Sequence, residues 1–401
     1  MKQNVLILVE NLPVPFDRRV WMEAITLQEN GYQVHVICPN SKNHPALKEV
    51  IEGIHIYRYP ALIEGRTSVG TLLEYGWAIF AMGFISFYLS CKKSFSVVQV
   101  CNPPDILFMA TWAPRLFRRA KLIFDQHDIN PELWESKGHS TNDFFGRLLL
   151  WAEQATYRRA SKVISTNESY REIAIQRGRK SPQDIFIVRS APKRSFAIET
   201  LPITRPSEQA NTIVYIGTMG QQEGIDILLY ALKILVTEYG RICIQLDLIG
   251  DGPERRHLEA LSTKLELSKN LTFHGRVSDD ELRSIVLEAD VAVNPDRPSK
   301  MNDLSSMNKI VEYMALGRPI VQFACIEGEK TAMQASMSVR GSDPNSLAKV
   351  LSGLLENELQ RYNMSVFGLN RFKDVLAWEH QRSKLISAYS SALSSKHEMN
   401  Y

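Results

Sequence analysis

The chain has 401 residues, 44% of them hydrophobic and 23% charged, which is length for two or three domains and enough apolar content to exclude a disordered chain. Forty-seven basic residues against 44 acidic ones leave a net charge of +3, too balanced for a dedicated nucleic-acid binder. The five cysteines, Cys38, Cys91, Cys101, Cys243 and Cys325, include no CxxC pair, which excludes a disulfide framework or a thiolate zinc site and reads as buried thiols in a reducing compartment.

In chain order, the first element is the apolar run Val5–Val9 within MKQNVLILVENLPVP. The run is too short for a signal peptide and predicts a strand. A proline-containing turn follows, then an amphipathic stretch, Arg19–Glu29, ended by Gly31, then a strand at Gln33–Cys38. Further strands are expected at Ile54–Tyr57, Val97–Val100, Leu122–Phe124 and Lys162–Ser165, with helical patterns between most of them. Short buried strands alternating with helices imply a parallel sheet covered on both faces. Within this half, Gly76–Ser90 reads GWAIFAMGFISFYLS and is uncharged, with Glu74 before it and Lys92 and Lys93 after it. A spanning helix needs about 20 apolar residues. The segment therefore predicts first a helix buried in the first domain, second a helix dipping into a membrane surface, and third a spanning helix.

The pattern pauses over Ala191–Asn211, which holds three prolines and no clear periodicity and reads as a linker. It then restarts. Thr212–Ile216 is a predicted strand, Gly217–Gly224 a glycine-rich turn and Ile225–Glu238 a helix. Strands follow at Ile244–Ile249, Leu271–His274, Val291–Asn294 and Pro319–Phe323, with helices from Glu254, over Asp279–Glu288 and around Asn308–Leu316. From Val366 the chain is amphipathic and reads as a helical tail. The expected domains are 1–190, a linker 191–211, 212–365 and a tail 366–401. Two doubly wound α/β domains would bind ligands outside the carboxyl ends of their strands.

Four clusters can carry chemistry. Gly217, Thr218, Met219 and Gly220 lie between a strand and a helix, where backbone can approach a phosphate, although the P-loop lysine and the GxGxxG spacing are both missing. A plain tight turn is the alternative. Asp251 and Gly252 lie in a second strand-to-helix turn. In DLSSMNKIVEYMALGRP, residues 303–319, Ser305, Ser306 and Asn308 gather at a helix start, which favours an anion. Lys309 adds a point charge there, and Glu312, four residues after Asn308 on the same face, suits a ribose diol. A capped core helix is the competing reading. In FDQHDINPEL, residues 124–133, His127 stands between Asp125 and Asp128 just after a strand, where a carboxylate can orient the ring. No second histidine lies at ligand spacing, so no metal is expected. Asp17, Arg18 and Arg19 follow the first strand and suit an anionic group, or ordinary surface pairing. No GxSxG elbow supports a covalent hydrolase.

Several segments together resemble a known family. They are PFDRRVWMEAITLQENGYQVHVICP at 15–39, NPPD at 102–105, FDQHDINPELW at 124–134, STNESYRE at 165–172, VYIGTMGQQEGIDILLYAL at 214–232, LIGDGPE at 248–254 and NKIVEYMALGRPIV at 308–321. In kind and order they resemble the retaining, nucleotide-sugar-dependent glycosyltransferases of family 4, in the branch serving bacterial surface polysaccharide and glycolipid assembly. The resemblance implies the GT-B fold, with two facing Rossmann-like domains, a cleft between them and a C-terminal helix returning to the N-terminal domain. It implies a UDP- or GDP-sugar donor on the second domain, and a glycan or lipid-linked acceptor on the first. It implies no bound cofactor or metal; a cytoplasmic location is expected, with membrane-surface contact through the apolar segment 76–90 as the second reading of that segment. Carried over by residue, Glu312 would bind the donor ribose and Gly217 to Gly220 would border its diphosphate. His127 would touch the transferred sugar, with Asp128 beside it. Asp251 and Gly252 match a family turn, and Arg276 lies where backbone meets the base.

The chain departs from the family at three places. Leu304 stands where many members have the first of two glutamates. Glu223 stands where many have a lysine that faces the diphosphate; Lys309, Arg297, Lys300 or the arginines of Asp17–Arg19 are the replacements. Ser190-Ala191 replaces a frequent Asn-Gly. A sugar-nucleotide-binding protein without transfer activity and a sugar-nucleotide epimerase on the same fold are the alternatives. A nicotinamide-dependent enzyme is disfavoured by the missing glycine spacing.

Overall fold

The computed structural model describes residues 3–62, 68–201, 205, 206, 208, 209 and 211–394. The chain folds as two units, 1–190 with 381–401, and 191–380.

The first unit is built on eight strands: β1 (Asn4–Val9), β2 (Gln33–Pro39), β3 (Lys48–Ile51), β4 (Ile54–Tyr59), β5 (Phe95–Cys101), β6 (Lys121–Gln126), β7 (Lys162–Ser165) and β8 (Ile185–Ile187). Their order is β3-β4-β2-β1-β5-β6-β7-β8. All pairs are parallel except β3–β4. The apolar run of β1 is buried because β2 and β5 flank it and helices cover both faces. Strand order reverses between β1 and β5, so the switch point of this sheet lies at their carboxyl ends. The hairpin joining β3 to β4 turns on Glu52 and Gly53, both at positive φ. Sequence periodicity misses β3 because its side chains alternate between exposed and half-buried.

Helix α1 (Arg18–Glu29) begins at Asp17, whose carboxylate accepts from Val20 N at 3.0 Å and caps the helix. Helix α2 (Ser68–Lys92) is longer than the apolar segment that predicted it. Ala78, Met82 and Leu89 pack into the core, but Phe80, Phe84 and Tyr88 are exposed. The expectation of a fully buried helix is therefore corrected: one face is buried and the other is bare.

The second unit holds six parallel strands: β9 (Thr212–Ile216), β10 (Gln245–Ile249), β11 (Leu271–Gly275), β12 (Val291–Asn294), β13 (Ile320–Phe323) and β14 (Ser336–Val339). Their order is β11-β10-β9-β12-β13-β14, with the reversal between β9 and β12. Short β-branched runs fill both faces, one against a helix at Ile225–Thr237 and another at Pro344–Leu355, and the other against α4 (Asn308–Ala315). Helix α3 (Trp112–Arg118), in the first unit, lies along α2.

Two boundaries differ from the sequence expectation. Within 191–211, Ala197 and Ile198 are buried in the second unit's core, and Ile198 N donates to Ala315 O at 3.1 Å. That part is core rather than linker; residues 202–204, 207 and 210 lie outside the described residues. The expected tail from Val366 divides. Leu369, Phe372 and Leu376 bury against Tyr313 and Met314 of the second unit, and the chain joins the first unit only from Gln381. There helix α5 (Trp378–Ser394) seats Tyr389 on Gln99 and pairs Arg382 with Glu29. Residues 395–401 of the expected tail lie outside the described residues.

Candidate functional site

In the second unit the two glycine turns are locked together at the carboxyl ends of β9 and β10. Gly217 N donates to Ile249 O at 3.0 Å, and Met219 N to Asp251 O at 3.1 Å. Gly250 has φ +130°, and a Cβ there would sit 1.9 Å from Gly217 O. Only glycine permits that approach. A Cβ at Gly217 would lie 2.7 Å from the Tyr215 hydroxyl and 3.3 Å from Lys309 Cε. The turn is thus fixed in shape and has a lysine directly beside it.

That lysine comes from the first turn of α4. Lys309 Nζ lies 2.8 Å from Asp296 Oδ1 and 4.6 Å from the centre of the Tyr215 ring, a placement that favours the cation twice. The side chains of Lys309 and Asp296 are 10% and 3% exposed, so the pair is largely removed from water. Asp296 lies two residues past β12 and Tyr215 is the penultimate residue of β9, which puts the pair at the sheet's switch point. Tyr313, one turn further along α4, accepts from Ile216 N at 2.7 Å and ties the helix to the same strand end. Met307 at the N-cap position has no side-chain oxygen to cap α4. Lys309, on the first turn of α4, therefore lies beside the glycine turn, an arrangement that suits a phosphate.

Glu223 reaches back over Gly220: a Cβ on Gly220 would meet Glu223 Oε2 at 2.5 Å. Burial raises its pKa, Asp296 adds to the rise, and Lys309 opposes it. Of the expected replacements for a phosphate-facing lysine, Lys309 is at the turn. Arg297 instead pairs with Asp226 at 2.5 Å and donates to Gln221 O, and Lys300 is exposed on the following helix. Asn308 is exposed, and Ser306 and Glu312 are half-buried along α4. Thr218, Asp251 and Arg276 are exposed at the ends of β9, β10 and β11. Met219 contributes to the turn through its backbone, as expected of residues 217–220, and its side chain is fully buried in the core.

In the first unit, His127 stands just past β6. Its Nε2 lies 2.6 Å from Asp125 Oδ2, and its backbone N–H donates to Asn102 Oδ1 at 2.6 Å. Asp125 is fully buried and is also held by Arg19, at 2.7 Å to Oδ1. Burial opposes its charge, but Arg19 and His127 outweigh it and hold the carboxyl well below its ordinary range. Burial likewise pulls His127 down, and Asp125 more than restores it, so the imidazolium is favoured. Asp128 lies beside it with a pKa raised by burial, and its backbone is clamped by Asn102.

The expectation for Asp17–Arg19 is corrected in part. Asp17 is spent on capping α1. Arg19 is 8% exposed and donates to Asp125, Val188 O and Ser190 Oγ, so it holds the site's framework instead of facing a ligand. Arg18 alone of the three is exposed.

Behind this pair lies a network that carries no sequence signal. Gln99 donates to Glu23 Oε2 at 2.6 Å and to Asp125 Oδ2 at 3.2 Å, and its own oxygen accepts from Tyr389 of α5. Glu23 is pushed up to about 8, chiefly by burial, with Asp125 adding and Arg19 opposing. A carboxyl raised above its unfolded value contributes stability that is full below that value and lost as pH rises through about 8. Glu23→Gln keeps the acceptor for Gln99 and removes the titration. Thermal melts of this variant and the wild type are expected to diverge between about pH 5 and 8, with the wild type losing more. Parallel curves would contradict the assignment.

Among the described residues, Cys101, Asp125 and His127 bring three potential metal ligands within 4.8 Å of one another. They do not fit a cation. Both Asp125 oxygens are committed, one to Arg19 and one to His127, and burial holds the Cys101 thiol well above its ordinary value. A metal ion would have to displace a buried guanidinium.

Residues 17–188 match the family described as "Glycosyl transferase 4-like domain", and residues 210–357 match "Glycosyl transferases group 1". An uncharacterized glycosyltransferase of Haemophilus influenzae is 24% identical over 284 residues, covering 69% of this chain and 74% of that protein. The GDP-mannose-dependent monoacylated alpha-(1-6)-phosphatidylinositol monomannoside mannosyltransferase of Corynebacterium glutamicum is 25% identical over 173 residues, 42% of this chain and 44% of that protein. The match with the second relative thus spans less than half of its length. Among solved structures, sucrose-phosphate synthase from Thermosynechococcus elongatus superposes with a TM-score of 0.80 at 15% identity, over 98% of this chain and 100% of that one. HepE of Anabaena, in complex with UDP and glucose, gives 0.70 at 13% identity over 96% and 99%. At such identities the structural likeness concerns the fold.

Proposed function

Because this chain belongs to the GT-B glycosyltransferases of family 4, we propose that it transfers a sugar, with retention, from a UDP- or GDP-sugar to a hydroxyl of a glycan or lipid-linked acceptor in polysaccharide or glycolipid assembly. The observation that carries this reading is Lys309, held at the glycine turn on the switch point of the second sheet. The UDP and glucose of the Anabaena complex and the GDP-mannose of the Corynebacterium relative belong to those proteins, and they support a nucleoside-diphosphate donor here. The site of action is cytoplasmic.

The roles follow from chemistry. Backbone at Gly217, Thr218, Met219 and Gly220 and the start of α4, with Ser306 and Asn308, receives the diphosphate. Lys309 compensates its charge. Glu312 accepts from the ribose hydroxyls, and Arg276, Asp251 and Gly252 border the nucleoside. His127, with Asp128, contacts the transferred sugar, and Arg18 faces the acceptor side. In the reaction the acceptor oxygen bonds to the anomeric carbon while that carbon's bond to the phosphate oxygen breaks. The acceptor proton passes to the departing phosphate on the same face. Protein catalysis is then positioning plus stabilisation of the developing negative charge. Burial beside the turn raises the Glu223 pKa, with Asp296 adding to the rise, which lessens its conflict with a phosphate there.

Glu312→Ala removes a charged acceptor and is expected to raise the donor Kd by about 10- to 100-fold, read by calorimetry. An unchanged Kd refutes the ribose role. The activity itself is tested by incubating the protein with a panel of sugar nucleotides and a cell lipid extract. The expected result is release of nucleoside diphosphate with labelled glycan or lipid. Failure of every donor to bind or turn over would sink the proposal. Binding without transfer would favour a non-catalytic binder, and a changed sugar without any acceptor would favour an epimerase.

A further inference from the structure

The exposed side of α2 forms a regular stripe. Phe80, Phe84 and Phe87 follow one another at i+4 and i+3 on the face opposite Ala78, Met82 and Leu89. Phe80 and Phe84 are 68% and 67% exposed. A soluble surface helix normally turns charged residues outward, yet no charge occurs between Glu74 and Lys92.

The stripe continues onto α3, which sequence reading left without a role. Ala110 and Trp112 lie against Gly83, and the Phe87 and Trp112 rings stack at 5.5 Å. Phe117 packs beside both, at 6.3 and 5.9 Å. Trp112 and Phe117 of α3 therefore pack on the same stretch of α2 and extend its apolar surface. Trp112, Leu116 and Phe117 are all exposed, Leu116 at 71%. A contiguous apolar patch of this kind marks an interaction surface.

Its charge selects the partner. Helix α2 is uncharged from Tyr75 to Cys91 and closes on exposed Lys92, while α3 carries Arg115 and is followed by exposed Arg119, so every charge along these stretches is basic. Aromatic side chains beside lysine and arginine match the two layers of a membrane interface, acyl boundary and anionic headgroup. We propose that the joint α2–α3 face docks this protein on a bilayer containing anionic lipid, lying in the interface without crossing it. The helix is long and apolar enough to span. Its inner face, however, belongs to the core around β5 and β6, and a spanning pose would uncover that core. The residues on α3 extend the contact well beyond 76–90.

The test is flotation of the full chain with vesicles of phosphatidylethanolamine and phosphatidylglycerol, against vesicles of phosphatidylcholine alone. No donor or acceptor is present, so the outcome is separate from that of the transferase reading. The wild type is expected to float with the anionic vesicles, less so at high salt, and to be released by alkaline carbonate. Phe80→Glu with Phe84→Glu, and independently Trp112→Glu with Phe117→Glu, are each expected to lower the partition at least ten-fold. These side chains are exposed, so unchanged circular dichroism and melting are expected alongside. Lys92→Glu with Arg119→Glu should abolish the preference for anionic lipid. Wild-type protein that stays in solution would overturn the proposal, as would an α3 variant that partitions like wild type. Retention after carbonate would show a spanning helix, and sedimentation as a dimer that the α3 variant dissolves, without flotation, would show a second copy on this face. Either result also overturns it.

Discussion

His127→Ala is expected to lower kcat by about 100- to 1,000-fold while leaving the donor Kd within about twofold. His127 belongs to the first unit, whereas the glycine turns and α4, which carry the proposed donor contacts, belong to the second. Its ring is held by a buried carboxylate at 2.6 Å and its backbone by Asn102, so the imidazole is fixed before any substrate arrives. Removing it does not strand Asp125, because Arg19 still pairs with the other oxygen at 2.7 Å. The fold should therefore persist, and a loss of rate should report chemistry. Stopped assays at saturating donor, with calorimetry for binding, separate the two terms. A kcat equal to wild type would remove His127 from the reaction.

Lys309→Met is expected to act on both stability and rate. It leaves Asp296, 3% exposed, as a buried charge without its cation, which costs about 3–5 kcal/mol. For a domain of this size that lowers Tm by roughly 10 °C. It also removes the charge proposed to stabilise the leaving diphosphate, for about a 100- to 1,000-fold fall in kcat. The double variant Lys309→Met with Asp296→Asn distinguishes the effects. It should regain most of the melting temperature and none of the rate. Recovery of both would mean that Lys309 only balances Asp296.

Most of the fold was legible in the sequence because strands buried on both faces leave unbroken apolar runs. β7, β9 and β12 coincide with the runs that predicted them. β3 and β14 escaped because edge strands are only half-covered and lack that run. The helix from Phe80 to Phe87 was visible as an apolar segment, but not which side was bare, since exposure depends on what packs behind it. Of the site, the glycine turns, α4 and His127 stand out by residue type. Asp296 was discoverable from the rule that ligands gather past strand ends, since it lies two residues past β12. Glu23, Gln99 and Tyr389 had no such signal. They meet only because α1, β5 and α5 converge from opposite ends of the chain. Glu223 is an acidic residue in a cation's place, and the structure puts Lys309 of α4 beside the same turn.

The donor is proposed to bind in the second unit, and a crystal structure with a bound UDP- or GDP-sugar tests that directly. It should show the diphosphate against Gly217–Gly220 with Lys309 Nζ within hydrogen-bond distance, and the ribose hydroxyls on Glu312. A nucleotide bound elsewhere, or a diphosphate out of reach of Lys309, would contradict it.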